Sequence, residues 1–188
     1  MLKYQFWKII IDFILACFLI VCFCPLLILT AILVFFDIGS PIIVEQKRIG
    51  QFGKPFLIFK FCTIHPESRT ISKIGAFLRK SKLDEFPQLF NILKGDMSFV
   101  GPRPDIAGYY DQLKEEDREI LKLKPGITSD ASIKYRNEEE LLDSLLNPDE
   151  YNDQVIFPDK VKMNKIYLQR ISLKEDLRIL LTTLQSIL

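Results

Sequence analysis

The stretch Leu78 to Pro104, LRKSKLDEFPQLFNILKGDMSFVGPRP, decides how this chain is read: it sets two adjacent carboxylates, Asp84 and Glu85, between a basic run and a rigid Pro102-Arg103-Pro104 segment. Local chemistry predicts a helix over residues 83 to 94. Ser81 is a natural N-cap with Asp84 three residues on, and Gly95 after Lys94 is a C-terminal stop. Pro87 is tolerated in a first turn, where its missing N–H has no intrahelical acceptor to lose. Asp84, Gln88 and Asn91 then share a polar face, while Phe86, Leu89, Phe90 and Leu93 form an apolar one. One face packs and the other looks onto a site.

An acidic pair in a first turn is often only a complement to the helix dipole, contributing about 0.3–1 kcal/mol. On the dipeptide alone that is the commoner reading. The neighbours shift the balance, because Arg79, Lys80 and Lys82 precede the pair, and cations beside free helix-start amides suit a phosphate.

Composition sets the limits around this stretch. The 188 residues suffice for one domain with a real core, and no internal repeat shows. With 25 basic against 24 acidic residues there is no general reason to expect nucleic acid. Cys17, Cys22, Cys24 and Cys62 make no zinc set with His65, the one histidine, and read as reduced small hydrophobes in a cytosol-facing protein.

Upstream, Phe13 to Phe36 carries no charged residue. As a helix at ~1.5 Å per residue it reaches roughly 36 Å, enough to span a bilayer and too long for the apolar region of a signal peptide. Pro25 near its middle frees the carbonyl of Val21 and favours a kink. Lys3 and Lys8 precede the run and Lys47, Arg48, Lys54 and Lys60 follow it, so neither end lacks the marks of the cytoplasmic side. A kinked spanning helix and a helix that turns back are equally open here.

Residues 40 to 64 read as a β-hairpin, with runs Ile42-Ile43-Val44 and Phe56 to Phe61 around a turn through Gly50 and Gly53. Ser72 caps a short amphipathic helix bearing Ile74, Phe77 and Leu78. Downstream, the pattern predicts a charged surface helix over 110 to 123 and a helix capped by Asn137 with leucines at 141, 142, 145 and 146. It then gives a loop from Asn147 to Pro158 and a helix over 159 to 169. Ser172 and Glu175 form a capping box that opens a last helix, whose apolar stripe Leu177, Leu180, Leu181, Leu184 and Leu188 reads as core packing rather than a membrane-lying face.

Five motifs occur in order: Lys47-Arg48-Ile49-Gly50, Lys60-Phe61-x-Thr63, Leu83-Asp84-Glu85-x-Pro87-Gln88-Leu89-x-Asn91, Lys94-Gly95-Asp96-Met97-Ser98 and Val100-Gly101-Pro102-Arg103-Pro104. With the apolar segment before them, the chain resembles the bacterial sugar transferases, the small monotopic phosphoglycosyl transferases. The resemblance implies an α+β fold: a mainly helical, membrane-associated catalytic domain over residues 39 to 188 with a short β-hairpin, preceded by a re-entrant membrane helix over residues 1 to 38. It also implies transfer of a phosphosugar from a nucleotide diphosphate sugar, usually a UDP-sugar, to polyprenyl phosphate at the cytoplasmic face of the bacterial inner membrane, releasing UMP.

By matched position Asp84 is the nucleophile, Glu85 its catalytic neighbour and ligand for Mg²⁺, and Arg79, Arg103, Lys60, Gln88, Pro102 and Pro104 bind substrate. Cys24 stands where the family's helix break carries serine, Cys62 where it usually has arginine, and Asp130 to Asn137 depart from its Gly-Arg-Asn pattern. Sugar specificity is expected in that last segment. A non-catalytic scaffold for glycan assembly is the competing reading, and a conventional glycosyltransferase releasing UDP is a third.

Overall fold

The computed structural model describes residues 2–187, so Leu188, the last position of the expected C-terminal stripe, lies outside them. The chain opens with helix α1, Leu2–Asp37, which at ~1.5 Å per residue is roughly 54 Å long and is apolar and long enough to cross a membrane. It stays helical through Pro25, so Cys24-Pro25 does not interrupt the element. Its inward stripe is continuous: Lys8, Asp12, Ala16, Thr30 and Val34 are buried, and Leu15, Leu19, Leu27 and Ala31 pack against two core clusters between them. Trp7, Ile14, Phe18, Val21, Ile32 and Phe36 project outward and are exposed.

Strands β1, Ile43–Ile49, and β2, Pro55–Phe61, form the expected antiparallel hairpin, with Ile43 opposite Phe61 and Ile49 opposite Pro55. Helix α2, Lys73–Ser81, starts as anticipated, the Ser72 hydroxyl accepting from the Gly75 amide at 2.8 Å. The single helix expected over 83 to 94 is divided. Ser81 ends α2 rather than capping a new helix, its hydroxyl donating back to the carbonyls of Phe77 and Leu78. Lys82 turns left-handed at φ 58°, Leu83–Glu85 make one 3₁₀ turn, and α3, Gln88–Lys94, begins after Pro87. Proline explains the division: with no N–H it cannot continue a hydrogen-bonded helix from residue 83. Gly95, at φ 81°, ends α3 as expected.

Strand β3, Ser98–Val100, pairs in parallel with β4, Gly126–Thr128. The charged segment between them is two 3₁₀ stretches, Tyr110–Gln112 and Glu115–Lys122, not the surface helix expected. Tyr110, Ile120 and Leu121 are buried against Ile49 and Val161. Helices α4, Asp130–Lys134, α5, Glu138–Asp143, and α6, Pro148–Tyr151, follow, the last running through a π turn into α7, Phe157–Arg170, so most of the anticipated loop is helical. Asn137 makes no side-chain cap, and α5 stops before Leu145 and Leu146.

Helix α8, Leu173–Ile187, is capped by the Ser172 hydroxyl, which accepts from the Glu175 amide at 3.3 Å. Of the expected stripe, Leu180 packs against the core. Asp176 and Ile179 face the core, whereas Leu177, Leu181 and Leu184 are exposed.

The β3–β4 pair positions the Pro102-Arg103-Pro104 segment by close backbone approach. A Cβ on Gly126 would lie 2.1 Å from the Gly101 nitrogen, and one on Gly101 would lie 2.2 Å from the Lys124 carbonyl oxygen. The Gly101 amide donates to Thr128 and the Gly126 amide to Pro102, so neither strand can retreat without losing a bond. Gly126→Ala should therefore destabilise the fold by about 1–3 kcal/mol, a drop of very roughly 2–10 °C in the unfolding midpoint measured in detergent. An unchanged midpoint would show that the strands separate freely.

Candidate active site

The carboxylate pair sits in the 3₁₀ turn between α2 and α3, not on a helix face. Asp84 and Glu85 are 7% and 9% exposed. Glu85 is fully engaged. Its Oε1 accepts from Lys60 Nζ of β2 at 3.0 Å and from Arg103 Nη2 at 2.6 Å, and its Oε2 takes Arg103 Nη1 at 3.3 Å. Asp84 differs sharply: its Oδ1 is buried with no hydrogen-bond partner among the described residues.

Electrostatics separate the two acids further. Burial opposes ionisation of Glu85, but the Arg103 guanidinium and Lys60 ammonium outweigh it and hold the carboxyl down to about 2. Burial pushes the Asp84 carboxyl up, the charge on Glu85 adds to this, and Lys60, Lys82 and Arg79 oppose it without cancelling it. One carboxylate is fixed as an anion that anchors cations. The other is an anion held at a cost, with lone pairs unspent.

Arg79 lies in the last turn of α2, its Nε donating to Thr63 Oγ1 at 3.0 Å, and the rest of its guanidinium makes no hydrogen bond among the described residues. Arg103 reaches Glu85 with its side chain 46% exposed, and its guanidinium is held further above its ordinary range chiefly by Glu85. Pro102 is buried and Pro104 half-buried, and both line a small cavity behind Arg103 with Gly50 and Tyr110. Gln88 is 3% exposed at the start of α3.

Asn91 does not share the expected polar face with Asp84. Its side chain, 0% exposed, accepts from the Phe59 amide at 3.0 Å and donates to the Leu57 carbonyl at 2.7 Å, clasping the free edge of β2 and so holding Lys60 opposite Glu85. Cys62 is buried in the apolar cluster with Val34, Phe61 and Leu78. Sequence reasoning passed over Thr63 as the partner of Arg79. The Lys60-Phe61-x-Thr63 spacing carried that signal, since it brings both residues to the same end of β2.

Fold and site together define a helical domain that joins a membrane-length apolar helix to a carboxylate pair set among cations. The chain belongs to the bacterial sugar transferase family, whose model matches residues 3–188. It is 33% identical, over 96% of its length and 87% of the relative's, to the uncharacterized sugar transferase EpsL of Bacillus subtilis. It is 31% identical, over 96% of its length and 69% of the relative's, to a UDP-glucose:undecaprenyl-phosphate glucose-1-phosphate transferase of Caulobacter vibrioides. It is also 30% identical to a UDP-N-acetylgalactosamine-undecaprenyl-phosphate N-acetylgalactosaminephosphotransferase of Aeromonas hydrophila, of which it spans 44%.

Proposed function

We propose that this chain transfers a phosphosugar from a UDP-sugar to a polyprenyl phosphate through a covalent intermediate on Asp84, at the cytoplasmic face of a bacterial inner membrane. The observation that carries this reading is the contrast within the dyad: Asp84 keeps a buried, unpartnered oxygen while its neighbour's oxygens are occupied. An Asp84 oxygen attacks the sugar-bearing phosphorus, a bond from that phosphorus to the bridging oxygen breaks, and UMP leaves. A phosphate oxygen of the lipid then attacks the same phosphorus and releases the carboxylate, giving polyprenyl-diphosphate-sugar. Arg79 and Arg103 offset phosphate charge, and Lys60 completes the cationic rim.

The oxygen donors of the dyad suit Mg²⁺, a hard cation usually held by one or two carboxylates with substrate phosphates. Glu85 would hold the ion through Oε2, the oxygen with the longer of its contacts, which leaves Asp84 Oδ1 uncommitted for attack. When bound, such an ion neutralises diphosphate charge.

Both ends of α1 touch the same body: Tyr4 and Lys8 reach Asp176 of α8, and Val34 packs with Phe61 and Leu78. This supports a re-entrant placement with both ends on one side of the membrane, in preference to a spanning one, since a helix fixed to one body at both ends cannot deliver them to opposite faces.

Incubating the protein with a panel of UDP-sugars, polyprenyl phosphate and Mg²⁺ should release UMP with at least one donor. Release of UDP would make the protein a conventional glycosyltransferase, and no product with any donor would favour a scaffold. Arg103→Lys should lower kcat/KM by roughly ten- to a hundredfold, because an ammonium cannot reproduce the planar fork. Unchanged donor kinetics would remove Arg103 from the site.

A further inference from the structure

The buried stripe of α1 changes chemistry along its length. From Ala16 onward it is almost entirely apolar, but its first three turns present Tyr4, Lys8 and Asp12, and these meet a matching set on the body. Asp176 of α8 is the centre of that set. Its Oδ2 accepts from Lys8 Nζ at 2.5 Å and from the Tyr4 hydroxyl at 2.6 Å, while its Oδ1 accepts from the Tyr167 hydroxyl of α7 at 2.5 Å. Asp12 accepts from the Ser98 hydroxyl of β3 at 2.7 Å and stands 3.8 Å from Lys8. Lys8, Asp12, Ser98, Tyr167 and Asp176 are all under a tenth exposed.

None of these groups takes part in the proposed chemistry at Asp84. A buried cation and two buried carboxylates are expensive unless matched to one another, and here they are matched only while α1 lies on α7, α8 and β3. Pulled off the body into hydrocarbon, the same turns would carry Lys8 and Asp12 with neither water nor Asp176 to satisfy them.

We infer that Asp176 is the latch that docks residues 4–12 of α1 onto the body, so that these turns stay out of the hydrocarbon and the N-terminal end is held on the body's side. The inference rests on the membrane placement of α1 proposed above and is independent of the transfer reaction. Trp7, the one tryptophan of the chain, reports on it directly: it lies between Tyr4 and Lys8 and is 59% exposed, on the side away from the body. An aromatic ring there belongs at headgroup depth.

The test uses the full chain in vesicles of phosphatidylethanolamine and phosphatidylglycerol, the body shown to face outward by protease digestion, with neither sugar donor nor lipid acceptor present. Iodide, which does not cross the bilayer, should quench Trp7 fluorescence from outside in the wild type. Protection of Trp7 from external iodide would overturn the docked placement whatever the variants do. Asp176→Leu should lose at least half of that quenching, and Lys8→Met, which removes the charge from the other partner, should act in the same direction. Asp176→Glu, which keeps the carboxylate, should retain wild-type quenching. Unchanged quenching in both Asp176→Leu and Lys8→Met would overturn the latch, as would a loss in Asp176→Glu equal to that in Asp176→Leu. Because nothing in this assay turns over, a protein inactive toward every sugar donor would still answer it.

Discussion

Asp84→Asn is expected to abolish phosphosugar transfer, with a loss of at least about a thousandfold in turnover, while the variant folds as stably as the wild type or more so. The amide keeps the size of the carboxylate but is a poor nucleophile at phosphorus. Wild-type protein given donor and Mg²⁺ without lipid should gain the mass of a phosphosugar on the peptide containing Asp84, and the variant should not. The stability half of the expectation follows from linkage. A carboxyl raised above its ordinary value in the folded state destabilises the fold when ionised, so at neutral pH the charge on Asp84 costs stability that is recovered as pH falls through the raised value. Removing the charge should give about 0.5–2 kcal/mol. Full activity in the variant would end the covalent mechanism at this residue, and an adduct on Glu85 would reverse the two roles.

Glu85→Gln should do the opposite to stability. It leaves Lys60, 17% exposed, and the more exposed Arg103 without their anion, and breaking such a pair costs about 3 kcal/mol once the openness of Arg103 is discounted. The pH dependence identifies the cause. Glu85 is held below its unfolded value, so its contribution is complete above about 4.5 and disappears as pH falls toward about 2. Denaturation of the unliganded protein followed from pH 7 to 2 should therefore show a constant gap between wild type and Glu85→Gln down to about 4.5, narrowing below it. A gap that closes nearer neutrality would place the stabilising charge on another residue.

The dyad, its basic neighbours, the hairpin, the Ser72 cap and the Gly95 stop were legible because each is written in a few consecutive residues. What misled was a helix break within the stretch and contacts from far along the chain. Ser81 and Asp84 have capping-box spacing, but Pro87 cannot continue the helix that such a box would start, and the serine turns back into α2. Asn91 shares a helical period with Asp84 in the sequence, yet the break at Pro87 removes the common face and β2 supplies the partner that takes its amide. The leucines of α8 have the right period for a core stripe, and periodicity cannot say which face is inward when Asp176 offers a stronger reason to turn. That reason lies far back in the chain, in Tyr4 and Lys8, and no local pattern joins them.

The same separation has a consequence for how the protein is made. α1 leaves the ribosome before any of its partners exist, and α8 is synthesised after all the other elements described. Lys8 and Asp12 must therefore wait, solvated at the membrane surface or shielded by another protein, until α8 has been translated. A chain arrested before Asp176 would have a complete dyad, hairpin and arginine clamp, but its first three turns would have no place to settle. Quality control acting on the nascent chain would meet an unburied lysine and aspartate beside a greasy helix until the final helix closes over them.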